Sequence, residues 1–64
     1  MKLIRLPEVL EKTGLTRTRL YVLIAKNEFV QPVKLSAAGR AIAFPEPEVD
    51  AWIADRMAQR ELAA

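Results

Sequence analysis

The segment GLTRTRLY, residues 14–21, concentrates side chains that can bind an anion or read the edge of a base. Arg17 and Arg19 each carry a guanidinium fork that fits two neighbouring acceptors, as on a phosphate or on the O6 and N7 atoms of guanine. Three hydroxyl groups of the same segment can hydrogen-bond to phosphate oxygens, and they belong to Thr16, Thr18 and Tyr21. This chemistry is that of binding to a polyanion.

Other chemistries lack the residues they need. The sequence contains no histidine and no cysteine, so the common nucleophile–base pairs and most transition-metal sites are excluded. Paired carboxylates are present, but 64 residues leave little room for the enclosed apolar pocket of most substrate sites. We therefore expect no enzyme activity, no metal site and no cofactor.

The chain also lacks the apolar segments of membrane and secreted proteins. Its longest apolar run, residues 20–25, has six residues, against the roughly 20 that a membrane-spanning helix needs. The N-terminal residues lack the long apolar stretch of a secretory signal. We expect a cytoplasmic protein without membrane contact.

With 64 residues the chain is expected to form one domain, residues 1–64, with a thin core, and its 52% hydrophobic content indicates that this domain is folded. Charge is divided unevenly along the domain. Residues 1–44 carry eight Lys/Arg and three Glu, whereas residues 45–64 carry two Arg and five acidic residues. A basic body suits a polyanionic partner, and the acidic segment suits a different contact. Chance unevenness in a small protein is the alternative.

Two helices are predicted in the first half. Pro7 fits the start of a helix over residues 7–13, and Gly14 fits its end. Thr16 fits the N-cap of a second helix that runs to about Asn27. Leu20, Leu23 and Ile24 form its buried stripe, and the opposite side is exposed. The pair predicts a helix-turn-helix over about residues 7–27.

A hairpin and a third helix are predicted in the second half. Residues 33–35 and 41–44 alternate with period two, which predicts two strands joined by a five-residue loop, a wing over about residues 33–44. The alternation places four apolar side chains on one face, Val33, Leu35, Ile42 and Phe44. Residues 46–62 predict a helix that closes the core through Val49, Trp52, Ile53 and Met57, with Phe29 and Phe44 also buried.

These elements and their residues resemble the AlpA-type phage and prophage regulators. Those regulators are small winged helix-turn-helix proteins related to excisionases and to MerR-like DNA-binding domains. The resemblance covers about residues 4–56 and rests on matches in order: Arg5-Leu6 with Glu8-Val9, Thr13-Gly14-Leu15, Leu20-Tyr21 with Leu23-Ile24, Phe29, Pro32-Val33-Lys34-Leu35, Arg40, and Glu48-Val49 with Trp52. It implies a mainly α fold with a small β-hairpin: a short extended N-terminal segment, two helix-turn-helix helices, a two-stranded wing and a C-terminal helix.

The resemblance also implies a DNA-binding surface. In the family the second helix enters the major groove and the wing approaches the backbone or minor groove. Thr16, Arg17, Thr18 and Tyr21 match the groove-facing segment, while Lys34 and Arg40 match the wing. The chain departs from the family in two ways on the second helix: Arg19 stands where a small hydroxyl residue is common, and Val22 where a basic one is common.

We therefore expect a sequence-specific regulator of transcription that binds double-stranded DNA, with excision of a prophage as a second role that the resemblance allows. The major-groove contacts are expected from Arg17, Thr18, Arg19 and Tyr21. Contacts to phosphates or the minor groove are expected from Thr16, Lys26, Lys34 and Arg40. One small domain buries little DNA surface, so we expect self-association or cooperative binding on DNA.

Simpler interpretations of the same residues remain. Thr16 is explained by capping alone, and Thr18 by ordinary exposure. Tyr21 can be half-buried against the wing instead of touching phosphate. For the whole chain, the alternative function is a protein-interaction module that keeps the winged fold and binds a phage or host protein through residues 47–57.

Overall fold

The computed structural model describes residues 2–37, 39 and 41–63, without the side chains of residues 61–63. Its helices and strands, in chain order, are β1 (Leu3–Ile4), α1 (Leu6–Thr13), α2 (Arg17–Ala25), β2 (Val33–Lys34), β3 (Ile42–Pro45) and α3 (Glu46–Ala63). The predicted mainly helical class with a small sheet is confirmed, and the layout is compatible with a winged helix-turn-helix. None of the helices in the described part of the chain has both the length and the apolar character that crossing a bilayer demands.

The ends of α1 and α2 follow from a few local residues. Pro7 lies in the first turn of α1, where its missing N–H costs nothing, and Gly14 ends that helix with a left-handed φ of 75°. Helix α2 ends at Ala25, two residues before the predicted end, because Asn27 already has a φ of 62°. The backbone N–H of Asn27 donates to the carbonyl of Ile24 at 3.0 Å. These contacts are those of a left-handed helix cap.

The sheet has three strands where two were expected. Strand β3 lies in the centre, with β1 and β2 antiparallel on either side of it. The N-terminal segment, expected only as an extended lead-in, pairs Ile4 with Phe44 and so becomes an edge strand. The added strand matters because a two-stranded hairpin is at most marginally stable by itself.

The register of the hairpin corrects the predicted apolar face. Val33 lies opposite Ala43 and Lys34 lies opposite Ile42, and directly opposed residues share a face. Val33 and Leu35 are therefore not on the face of Ile42 and Phe44, and they remain 41% and 44% exposed. The alternation within each strand was right, but the relative phase of the two strands was wrong.

The core is small and its centre is aromatic. Phe29 and Phe44 are buried, and their ring centroids lie 6.0 Å apart in an edge-to-face arrangement. Trp52 packs on Phe29 at 4.7 Å, also edge to face, and remains partly exposed. The predicted core positions of these aromatic residues are confirmed. Met57, expected in the same core, is 54% exposed because α3 continues beyond the part of the domain that could cover it.

An ion-pair cluster joins the end of α1 to the start of α3. The ammonium group of Lys12 lies 2.7 Å from a carboxylate oxygen of Asp50 and 3.0 Å from one of Glu46. Both hydrogen bonds raise the pKa of Lys12 above its ordinary value of 10.5, and Asp50 is the larger cause. The cluster connects the helix-turn-helix to α3 through charged side chains rather than through the core.

The raised pKa of Lys12 predicts how the cluster responds to alkaline pH. The folded state holds this proton more tightly than the unfolded state, so the stabilisation is complete below 10.5 and is lost as pH rises through the higher folded-state pKa. We expect Lys12→Gln to lower the free energy of unfolding at neutral pH, and the gap from the wild type to close at alkaline pH. Urea unfolding of both proteins at a series of pH values measures this difference in the free energy of unfolding. Lys34→Gln, at an exposed lysine, is the control. A stability difference between Lys12→Gln and the wild type that does not change with pH would contradict the stabilising role of the Lys12 ion pairs.

Candidate nucleic-acid interface

The turn between α1 and α2 is held by two threonine side chains. The hydroxyl oxygen of Thr16 accepts a hydrogen bond from the backbone N–H of Arg19 at 3.2 Å, which confirms Thr16 as the N-cap of α2. The hydroxyl of Thr13 donates to the carbonyl of Val9 at 2.9 Å and accepts from the N–H of Leu15 at 3.3 Å. The three residues between the helices therefore present the start of α2 in a fixed orientation.

The exposed side of α2 has a centre and two flanks. Successive residues turn by about 100° around a helix, and Leu20 marks the buried direction. Small side chains occupy the exposed centre, those of Thr18, Val22 and Ala25. Arg17 and Tyr21 lie on one flank, whereas Arg19 and Lys26 lie on the other. The two arginines that are close in sequence thus point to different sides.

The flank of Arg17 and Tyr21 faces a cavity at the start of α1. The cavity has a volume of about 390 Å³, and its lining consists of Arg5, Leu6, Pro7, Arg17, Tyr21 and Ile42. Arg5 was not among the expected binding residues. In the sequence Arg5 is only one more positive charge in an extended segment. Nothing in the sequence shows that it lines the same cavity as Arg17.

The hairpin brings one further cation near this cavity. Lys34 is exposed and lies directly opposite Ile42 on the neighbouring strand, so both side chains extend from the same face of the sheet. Ile42 lines the cavity. The second expected wing residue, Arg40, lies outside the described residues.

Lys26 is not brought into this group. It follows α2 as its C-terminal cap, and its backbone N–H donates to the carbonyl of Val22 at 3.1 Å. Its position nine residues after Arg17 corresponds to roughly 13 Å along the helix. A cation at this end also complements the helix dipole, which is a structural reason for a lysine here.

The cations of this surface have no carboxylate partner among the described side chains. Among the described side chains, the ion pairs with N–O distances up to 4.0 Å all belong to Lys12, in the last turn of α1. Arg5, Arg17 and Arg19 therefore face solvent without a carboxylate at that distance. A surface of several unpaired cations around a helix attracts polyanions.

Comparison with known proteins places the chain in a family. The profile of a family described as "Prophage CP4-57 regulatory protein (AlpA)" matches residues 2–57. The chain belongs to the AlpA family. The match includes β1 and the first two thirds of α3, so the AlpA assignment covers the whole folded core.

A phage protein is a close relative of this AlpA-family chain. It is an "Uncharacterized protein ORF88" from Enterobacteria phage P4, with 42% identity over 60 residues. The alignment covers 94% of the AlpA-family chain and 66% of the P4 protein, which is therefore longer. No solved structure matches the chain.

The capping hydrogen bond of Thr16 predicts which substitutions α2 tolerates. Removal of a capping hydroxyl costs about 1 kcal/mol, since the N–H at position 19 loses its acceptor. We expect Thr16→Ala to lower the free energy of unfolding by about that amount, and Thr16→Ser and Thr16→Asp to keep most of it. Thermal and urea unfolding measure the difference. Equal stability of the alanine and serine variants would show that the cap contributes nothing.

Proposed function

We propose that this AlpA-family protein binds double-stranded DNA sequence-specifically and regulates transcription of a prophage or phage. The observation that carries the proposal is the exposed surface of α2, where unpaired cations flank a centre of small side chains. Membership of a family of prophage regulatory proteins supports it. DNA is the partner with the matching charge and groove width, because the major groove of B-DNA admits an α-helix. Such a regulator would act in the cytoplasm.

The centre of α2 is suited to contact with base edges. Thr18 can hydrogen-bond to a base or a phosphate oxygen, and Val22 can contact the methyl group of thymine. Neither side chain is long, so the helix backbone can approach the groove floor closely. Arg19, at the edge of this surface, can reach the O6 and N7 atoms of guanine. Since Arg19 and Val22 are departures from the family pattern that lie on α2, they are the residues we expect to set this protein's own target.

The remaining expected residues suit the DNA backbone. Thr16 stands at the start of α2, where its hydroxyl and the first-turn amides can approach a phosphate. Lys34 lies on the hairpin, the element that would extend to the adjacent backbone or minor groove, and Arg40 is expected to act with it there. Lys26 marks the far end of α2. Backbone contacts of this kind set register and orientation, while the base contacts set specificity.

A single domain of this size makes a small interface with DNA, about 600–1,000 Å² in comparable modules. Useful specificity then requires two or more copies on repeated sites. The outer part of α3 offers a surface for such self-association. Met57 is exposed there, and it shares a groove with partly buried Ile53 and Trp52.

The same feature of α3 favours the second candidate function, a protein-interaction module that contacts a phage or host protein. The groove has an apolar floor, and its rim includes Arg56 and Arg60. A stable complex with another protein, together with the absence of any DNA complex, would favour this alternative. Footprinting across the neighbouring genome would separate two DNA functions: protection of a promoter indicates regulation, and protection of an attachment site indicates excision.

The proposal predicts salt-dependent DNA binding that requires the cations of α2. We expect log K to fall linearly with log[salt], by about 0.9 for each phosphate neutralised. Arg17→Ala combined with Arg19→Ala should weaken binding at least roughly tenfold, because each charge-assisted hydrogen bond contributes more than about 1 kcal/mol. Fluorescence anisotropy with duplexes from the protein's own promoter region measures both.

The matched control is Arg60→Gln, assayed on a duplex that holds a single site. It removes one positive charge from α3, away from the proposed interface, and should leave single-site affinity nearly unchanged. A slope near zero for the wild type, or full affinity in the double alanine variant, would refute DNA binding by this surface.

A further inference from the structure

We propose that the cavity between the start of α1 and the flank of α2 is a binding site for one phosphodiester group of the DNA backbone, with Arg5, Arg17 and Tyr21 as its ligands. The inference rests on the proposed function and deepens it. It adds Arg5 to the interface, and it assigns Arg17 and Tyr21 to the backbone rather than to the bases.

The first observation is that two arginines line one cavity. Arg5 and Arg17 both line it, and no carboxylate of the described residues lies within 4.0 Å of either. Neither arginine side chain is hydrogen-bonded to another described residue. Two like charges that share a concave surface without a counter-ion repel each other, and an anion between them removes that repulsion. Guanidinium forks also match the paired oxygens of a phosphate.

The second observation is the chemistry of the remaining lining. Leu6 and Ile42 are partly buried apolar residues, and Pro7 offers no N–H. A hydrogen bond to a phosphate oxygen is stronger beside such a surface than in open water, because the local dielectric constant is lower. Since the proline removes one amide of the first turn, binding depends on side chains rather than on the helix terminus alone.

Tyr21 supplies a neutral donor at the edge of the cavity. Its side chain is 45% exposed, and its hydroxyl has no hydrogen-bond partner among the described residues. A phenol with an apolar body and an exposed hydroxyl is well suited to contact a phosphate while its ring covers apolar surface. Together the three ligands would fasten one flank of α2 to the backbone. Sequence reading is then left to Thr18, Arg19 and Val22.

The site predicts a distinctive effect of Arg5→Gln. A lost phosphate contact weakens all duplexes alike, so we expect affinity for a target duplex and for an unrelated duplex to fall by the same factor, roughly tenfold. The magnitude of the salt slope should decrease by about 0.9, and the order of base preference should not change. Tyr21→Phe should show a smaller uniform loss. Arg60→Gln, assayed on a duplex that holds a single site, is the matched control, and thermal unfolding verifies that each variant folds.

A neutral-phosphate scan then tests the pairing of Arg5 with a single group. Methylphosphonate replaces one phosphate of the target duplex at a time, and the wild type should lose most affinity at particular positions. At one of these positions Arg5→Gln should be insensitive to the replacement, because the contact is already absent. If the variant keeps the wild-type sensitivity at every position, the site is wrong.

The outcomes separate this inference from the proposed function. Equal DNA affinity of Arg5→Gln and the wild type, with loss in the double alanine variant of Arg17 and Arg19, overturns the cavity and leaves DNA binding intact. No DNA complex of the wild type overturns both. Inorganic phosphate, titrated alone and followed by backbone NMR shifts at residues 5–7, tests the other source of the same chemistry. Binding of free phosphate through Arg5, without any effect of Arg5 on DNA affinity, would also overturn the inference.

Discussion

The contact of Trp52 with the segment after α2 holds the two halves of this protein together. Its indole N–H donates to the backbone carbonyl of Glu28 at 2.9 Å, while its ring packs on Phe29 in an edge-to-face arrangement. Arg56 lies over the same indole, 4.9 Å from its centre. One side chain of α3 thus fixes the end of α2, and the chain enters the hairpin from there. The position of α2 relative to the rest of the domain depends on this contact.

This dependence is physical, because α2 has no independent stability. A helix of nine residues is too short to persist alone in water. Leu20 is its one fully buried side chain, with Leu23 and Ile24 packed at the margin of the core. The core therefore determines where α2 lies. The residues on the exposed side of α2 are not constrained by packing and are available for binding. Substitutions on that side should alter affinity more than stability, with the capping residue Thr16 as the exception.

The helical geometry of α2 also places its two arginines in different surroundings. Arg17 and Arg19 are two residues apart, which on a helix means nearly opposite flanks. The first faces the cavity beside Arg5, and the second stands apart on the other side. In the proposed DNA complex, orientation on the backbone and recognition of bases are carried by separate residues. Substitutions at Arg19 and Val22 would then change the target while the proposed backbone contacts stay as they are.

Local signals in the sequence determined a large part of the fold. Pro7, Gly14 and Thr16 place the ends of the first two helices because their effects act within one turn of the chain. The spacing of Leu20, Leu23 and Ile24 likewise gives the buried side of α2. From these positions the helix-turn-helix and its exposed residues can be predicted, and the family resemblance follows the same order of elements.

Tertiary structure alone decided the features that depend on contacts between distant residues. The period-two alternation shows which residues of a strand share a face, but the register between Val33 and Ala43 sets how two strands align. The pairing of Ile4 with Phe44 across 40 positions makes the third strand, and Arg5, which follows that strand, shares one cavity with Arg17. Met57 has the spacing of a core residue, yet the core ends before it. In each case the deciding contact is non-local, and no local pattern encodes it.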